Sequence, residues 1–317
     1  MESRRNDIND VRPDSITKFR GQPGVVEQVK VALDAAHQDG RKFENSMMTG
    51  GSGLGKTEIA HLISLEMGTD CLEYLGGSVQ TVNDLNAILL SATERMVLTI
   101  DEAHELPKSV QTALFLAIDR KSVILQGSRK GATPITVPIA DATILLCTTD
   151  EFCLLEPLRS RMRLLLRFSP YETADIEQIL RMRLGALNWS VQDGVLAEIA
   201  EISRGVPRLG IRIAQACHRV ARSLGESTIT QANLERACQL ESLDSKGLGP
   251  NEQKYLEILL DGGCRLNVIA SRLGLPSRTV AEVIEPYLIR SGLVIKDDQS
   301  RRQLTAEGRV HLSSERE

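Results

Sequence analysis

No C-x-x-C pair occurs in this chain. Its six cysteines stand singly at Cys71, Cys147, Cys153, Cys217, Cys238 and Cys264, which argues against a zinc ribbon or finger and for reduced thiols, several of them in apolar surroundings. No apolar stretch approaches the length of a bilayer span, and the first twenty residues are too charged for a signal peptide. The expectation is a protein of the reducing cytoplasm with no membrane partner. Charge of one sign is also missing: 38 Lys and Arg stand against 42 Asp and Glu, a net −4. That balance neither demands nor excludes a nucleic acid, because a local basic patch can act within an acidic whole. At 317 residues the chain exceeds what one core organises, so two or three units are expected.

Against these absences one motif stands out. Gly50-Gly51-Ser52-Gly53-Leu54-Gly55-Lys56-Thr57 fits G-x-x-x-x-G-K-[ST] and sits between a strand-like approach over 46–49 and a helical run over 57–67. Such a loop cradles nucleotide phosphates. Its glycines let successive backbone N–H groups converge on oxygens, Lys56 places a point charge on the outer phosphates, and the Thr57 hydroxyl can ligate Mg²⁺. The helix start adds its positive dipole end. The nucleotide-facing set is Gly50, Gly53, Leu54, Gly55, Lys56, Thr57 and Glu58, and the residues alone admit ATP or GTP.

A second motif completes the first. The β-branched and apolar run over 97–100 reads as a buried strand that ends in Asp101 and Glu102. Ligands of parallel α/β sheets bind beyond the carboxyl ends of the strands, so both acids should emerge beside the phosphate loop. Asp101 is placed to hold Mg²⁺ through its water shell and Glu102 to polarise an attacking water. The competing reading is that the pair caps the next helix, which starts near Pro107. Asp101-Glu102-Ala103-His104 also spells the box of one helicase superfamily. His104 is as easily a surface residue at a helix start, and the chain lacks the second helicase domain that such a box needs.

Further along, helical patterns are expected over 25–34, 82–92 and 109–118, and a strand over 143–147. The alternation signals a parallel sheet with flanking helices. Runs at 122–126 and 135–139 bracket Gly127-Ser128-Arg129-Lys130-Gly131 and predict a hairpin with a basic, glycine-rich tip. Beyond Pro170 come helices over 173–187, 191–202, 210–224 and 230–240 with no convincing strand. Gly247-Leu248-Gly249-Pro250 reads as a linker. Helices over 251–260, 266–273 and 277–291, then strands over 293–296 and 302–305, outline a winged helix. That unit gives an independent reason to expect DNA: its third helix carries Arg278 and Arg290, and its wing carries Arg301 and Arg302, charges suited to phosphates. Asp297 and Asp298 on the same turn oppose them, and a winged helix used for protein contacts is the competing reading.

The ordered set resembles the AAA+ ATPases and, within them, the RuvB family, bacterial motors that drive branch migration of four-way DNA junctions. The resemblance runs from Arg12-Pro13 through Gly21-Gln22, the two nucleotide motifs, Thr148-Thr149, Pro157-Leu158-Arg159-Ser160-Arg161 and Gly205-Val206-Pro207-Arg208 to Glu285-Pro286-Tyr287-Leu288. It implies an α/β AAA+ P-loop domain with a parallel sheet over 1–169, a helical lid over 170–246 and a C-terminal winged helix over 247–317. It further implies ATP as the nucleotide, with Mg²⁺, branched DNA as partner, a hexameric ring, and a RuvA-like junction-binding protein. Thr149 would be the first sensor, with Thr148 as its alternative. Arg161, or Arg159, would be the arginine finger reaching a neighbouring subunit's site, and Arg208 the second sensor. Arg20 and Gly21 would lie near the adenine. Several positions depart from the family: Asp150 stands where an arginine is usual, Glu151-Phe152-Cys153 replaces smaller residues, and Arg20 replaces isoleucine. The hairpin at the RuvA-docking position differs in sequence and offers Ile135 and Val137 as contacts. The rival functions are a AAA+ loader or switch subunit and a DNA-bound regulatory ATPase.

Overall fold

Apolar strands that expose neither face need cover on both sides, and the chain supplies it with a parallel sheet flanked by helices. The computed structural model describes residues 7–125 and 133–315. In chain order the strands of the first unit are β1 (Ser46–Thr49), β2 (Cys71–Leu75), β3 (Val97–Asp101), β4 (Ser122–Leu125), β5 (Ile135–Pro138), β6 (Thr143–Thr148) and β7 (Leu164–Arg167). Five of them form one sheet in the order β2-β3-β6-β1-β7, every pair parallel. All six residues of β6 are buried, as are the first four of β3, so the sheet's centre is its driest part. β4 and β5 pair antiparallel as the two sides of the expected hairpin; its tip at 127–131 lies outside the described residues.

Helices α1 (Pro23–Gln38), α2 (Lys56–Met67), α3 (Val82–Ser91), α4 (Lys108–Arg120) and the short α5 (Glu156–Arg159) connect the strands. Their ends follow local chemistry. Thr81 and Asp84 close a reciprocal capping box on α3, and Gly68 ends α2 in the left-handed region with its N–H on Leu65 and Ser64 carbonyls. Between α3, α4 and the sheet lies a core that includes Leu85, Leu98, Val110, Leu114 and Leu146. Truncating a fully buried leucine of this kind, such as Leu114, to alanine costs about 2–5 kcal/mol.

The contacts divide the chain into two units, Met1–Ile179 with Val206–Arg208, and Leu180–Gly205 with Leu209–Glu317. Helix α6 (Thr173–Ala186) leaves the first. In the second lie α7 (Val195–Ile202), most of α8 (Pro207–Ser223) and α9 (Gln231–Leu240). The sequence reading found no strand here, yet β8 (Ser190–Val191) pairs in parallel with β9 (Thr228–Ile229). Two residues are too few to show a period. The C-terminal part of this unit is built from α10 (Pro250–Ile258), α11 (Leu266–Leu273), α12 (Ser277–Thr279), α13 (Glu285–Arg290), β10 (Val294–Lys296), β11 (Arg302–Leu304) and α14 (Ala306–Ser314). Tyr255, Leu256, Ile269, Leu288 and Val294 pack at its centre.

Between α12 and α13 the chain runs as a π-helix over Val280–Ile284, and Glu285 N–H bonds to the Val280 carbonyl five residues back. Pro286 explains the widening, because it has no N–H to return to residue 282 and its ring crowds the carbonyl there. Among the described residues no helix is long and apolar enough to cross a membrane.

Candidate nucleotide site and its surroundings

Strands β3, β6 and β1 are neighbours, and their carboxyl ends deliver Asp101, Thr148 and Thr49 to one edge of the sheet. From Thr49 the chain enters the glycine-rich loop. Gly50, Gly53 and Gly55 all have positive φ, which side chains rarely adopt. Space also excludes side chains: a Cβ on Gly53 would lie 2.9 Å from Arg208 Cβ and 3.0 Å from Val206 Cγ1, and one on Gly50 would lie 2.6 Å from the Phe168 carbonyl. Lys56 opens α2 and is buried. Its ammonium donates to the Gly50 and Gly51 carbonyls at 2.8 and 2.9 Å. Burial lowers its pKa, against the opposing pull of Cys147, Glu102 and Asp101. Leu54 is buried, and Glu58 keeps its buried Oε1 without a hydrogen bond.

Thr57 Oγ1 donates to Asp101 Oδ2 at 3.1 Å. A hydroxyl and a carboxylate side by side are the hard oxygen donors that Mg²⁺ takes, so these residues fit the ion. Asp101 Oδ1 accepts the Glu102 N–H at 2.9 Å. Glu102 itself adopts φ 49°, a left-handed conformation that a glutamate holds only under local constraint. The constraint is visible: a Cβ on Gly76 would collide with the Glu102 carbonyl. The acids do not cap the following helix. A 3-10 turn over Ala103–Glu105 intervenes, and α4 starts behind Pro107 with no side-chain cap.

His104, set aside from sequence as a surface residue, lies in this cluster. Its Nδ1 is 3.4 Å from Glu102 Oε2 and 3.3 Å from Thr148 Oγ1. Thr148 is fully buried, and Thr149 is exposed at the strand tip. Asp150 uses its reversed charge locally: the carboxylate accepts the Phe152 N–H at 2.9 Å and the Cys153 thiol at 3.1 Å, which holds its carboxyl below the usual range. Glu151 pairs with Arg167 at 2.9 Å.

Arg161 Nε donates to both Asp119 oxygens, at 2.8 and 2.9 Å, and its guanidinium lies 4.9 Å from the Phe115 ring centre. The pair depresses the Asp119 carboxyl and raises Arg161. Arg159 lies 5.4 Å from the ring centre of the exposed Phe152, its Nε buried without a hydrogen bond. Arg208 Nη1 reaches Ser52 Oγ at 3.3 Å, which joins it to the glycine-rich loop. Arg20 donates to the Thr17 carbonyl at 3.1 Å.

Gly21 has φ 75°, and a Cβ there would overlap the Tyr171 ring. Tyr171, absent from the sequence reading, donates through its hydroxyl to the Leu54 carbonyl at 3.0 Å. Phe19 lies beside Gly55, 3.2 Å from where a Cβ would stand. An isolated tyrosine and phenylalanine carry no motif, so nothing in the sequence marked them.

In the winged helix one expectation is corrected. Arg302 does not project from the wing: it is buried and donates to Glu285, through Nε at 2.5 Å and Nη2 at 3.1 Å. Tyr255 donates to the same carboxylate at 3.1 Å, and Lys296 lies 3.1 Å from it. Burial works to raise the Glu285 pKa, but Arg302, Lys296 and Tyr255 overcome it and the net shift is downward. Arg301 is exposed and donates to the Gly263 carbonyl at 2.6 Å. Arg278 is exposed and pairs with Glu282 at 2.9 Å. Arg290 donates to the Arg204 carbonyl at 3.3 Å. Asp297, expected to oppose the wing's charge, accepts the Gln299 and Arg301 N–H groups. On the hairpin Ile135 is exposed, whereas Val137 is half-buried and packs against the main core.

Comparison with known proteins shows the family of the chain. A family model described as the Holliday junction DNA helicase RuvB P-loop domain matches residues 11–168, and one described as the RuvB C-terminal winged helix domain matches residues 245–313. The chain is 31% identical over 296 residues to the Holliday junction branch migration complex subunit RuvB of Kosmotoga olearia, covering 92% of this chain and 86% of that one. It is 30% identical over 310 residues to the protein of the same description from Thermotoga maritima, covering 96% and 92%. The solved structure of the Thermotoga maritima RuvB Holliday junction branch migration motor superimposes with a TM-score of 0.83 at 29% identity, over 95% of this chain and 98% of that one. The ORC2 protein of Aeropyrum pernix, 12% identical with a TM-score of 0.53, shares the fold alone.

Proposed function

The chain belongs to the RuvB family, and on that premise we propose that it is an ATP-hydrolysing motor that drives branch migration of four-way DNA junctions in recombination and repair. The observation that carries the reading is the meeting of Thr57, Asp101 and Glu102 beside the glycine-rich loop, in a chain that ends in a winged helix. We divide the chain into a large ATPase domain over 1–169, a lid over 170–246 and a DNA-binding domain over 247–317.

In this reading the loop N–H groups and Lys56 receive the phosphates, and Thr57 and Asp101 hold Mg²⁺. The ion, when bound, supplies positive charge to the β- and γ-phosphates. Glu102 orients the water that attacks the γ-phosphorus. Thr149 contacts the γ-phosphate as first sensor, and Arg208 contacts it as second sensor. Arg161 arrives from a neighbouring subunit to stabilise the charge that develops on the transferring group; Arg159 is the alternative. A finger acting in trans requires an oligomer, a hexameric ring around DNA. Arg301 and Arg278 face the phosphate backbone, and a RuvA-like protein docks at the β4–β5 hairpin. The setting is the cytoplasm.

The test is steady-state ATP hydrolysis by the full chain without DNA, with linear duplex and with a four-way junction, Glu102→Gln serving as the blank. Stimulation greatest with the junction is expected. Hydrolysis indifferent to every DNA would refute the motor and favour a loader or switch whose partner is a protein.

A further inference from the structure

Glu102, which orients the attacking water in the proposed reaction, must hold its side chain in one direction. Its backbone is fixed: φ is 49°, the N–H is held by Asp101, and Gly76 abuts the carbonyl. Its side chain is not fixed by hydrogen bonds, because Oε2 is buried without one. A buried carboxylate oxygen without a donor is costly, so a group that can supply a hydrogen there governs the rotamer. His104 Nδ1, 3.4 Å away, is that group.

The surroundings choose its tautomer. Thr148 Oγ1 donates its only hydrogen to the Asp150 carbonyl at 3.0 Å and accepts the Asp150 N–H at 3.0 Å. It has no hydrogen left for the imidazole, so the 3.3 Å approach of His104 Nδ1 is favourable only with the proton on Nδ1. That single N–H then faces two acceptors, Thr148 Oγ1 and Glu102 Oε2, and cannot satisfy both fully.

We infer that His104 is a positioning residue for hydrolysis: its Nδ1–H, shared between Glu102 Oε2 and Thr148 Oγ1, sets the Glu102 carboxylate and ties it to the strand end that carries Thr149. Strengthening the bond to Glu102 weakens the bond to Thr148, so a shift of the β6 tip moves the group that orients the water. This rests on the functional reading above, because it presumes that Glu102 orients that water.

The experiment uses the full chain with ATP, Mg²⁺ and a four-way junction. His104→Ala should lower kcat about tenfold or more, the worth of one hydrogen bond to a charged group, with KM for ATP within about twofold, the signature of an interaction that matters to the chemical step and not to binding. His104→Asn places an amide N–H where Nδ1 stood and should recover most of the rate. His104→Gln places it where Nε2 stood and should behave like alanine. In a Glu102→Gln background, His104→Ala should add little further loss.

A normal kcat in His104→Ala, equal rescue by Asn and Gln, or a full additional loss in the Glu102→Gln background would each overturn the inference. Full turnover in Glu102→Gln alone would instead overturn the reading on which it rests. Melting temperatures of all variants identify a fall in rate caused by unfolding, and the contrast between Asn and Gln, both amides, still decides the matter if alanine fails to fold.

Discussion

Arg302→Ala should damage the winged helix as a fold and leave its phosphate contacts intact. The side chain is buried against Glu285, which is 2% exposed. Removing one partner of a buried ion pair costs about 3–5 kcal/mol, because the remaining charge is stranded. Lys296 and Tyr255 stay in contact with Glu285, which puts the expectation at the lower end, about 3 kcal/mol. For a unit of 60–100 residues each kcal/mol moves the melting temperature by about 4–8 °C, so the transition of this unit should fall by about 12 °C or more. Calorimetry on the full chain reads this directly. Fluorescence anisotropy of a labelled junction across a salt series, well below the transition, reads the other half: the slope of log affinity against log salt should match the unmodified protein. Arg301→Ala should do the reverse, with melting unchanged within about 0.5 kcal/mol and the slope reduced by about one phosphate contact. An Arg302→Ala protein that melts normally but loses one unit of slope would refute this reasoning.

Lys56→Ala should abolish hydrolysis, measured as steady-state phosphate release, and mixed with Arg161→Ala subunits it should recover part of the rate; no recovery in demonstrated mixed rings would count against a shared site. Gly76→Ala should lower kcat together with a stability loss of about 1–3 kcal/mol from overpacking, since the new methyl meets the Glu102 carbonyl; unchanged kcat would mean that the Glu102 backbone has room to move. Glu285 has a depressed pKa in the fold, so it contributes stability that is present above its unfolded value, about 4.3, and is lost as pH falls through the lower folded value. Unfolding of the winged helix followed against pH should show this acid-side loss, and Glu285→Gln should remove it.

The nucleotide site was legible because its chemistry is local. The loop from Gly50 to Thr57 and the acids at 101 and 102 each sit within a few residues, and the rule that ligands gather at strand ends joins them. Strand β3 and the start of α2 were placed to within a residue for the same reason. β2 and β7 were missed: β2 alternates only weakly and carries Glu73, and β7 follows a run of arginines, so neither shows the apolar period of a buried strand. The role of Arg302 was misread because a basic residue beside a turn carries no mark of which way it faces. That depended on Glu285, seventeen residues earlier and brought round by the helix that Pro286 widens. His104 was undervalued for a related reason, since its partner Thr148 is forty-four residues away and only the sheet order makes them neighbours.

Helix α4 has a consequence for any ring this chain builds. Just ahead of its first turn lie the acids of the subunit's own site, and near its last residue Asp119 grips Arg161. Thirteen residues of helix span about 20 Å and barely stretch. If Arg161 serves a neighbouring subunit, as proposed, its grip by Asp119 would tie the arginine a subunit lends to the far end of the same stiff rod whose near end follows the acids that the subunit keeps.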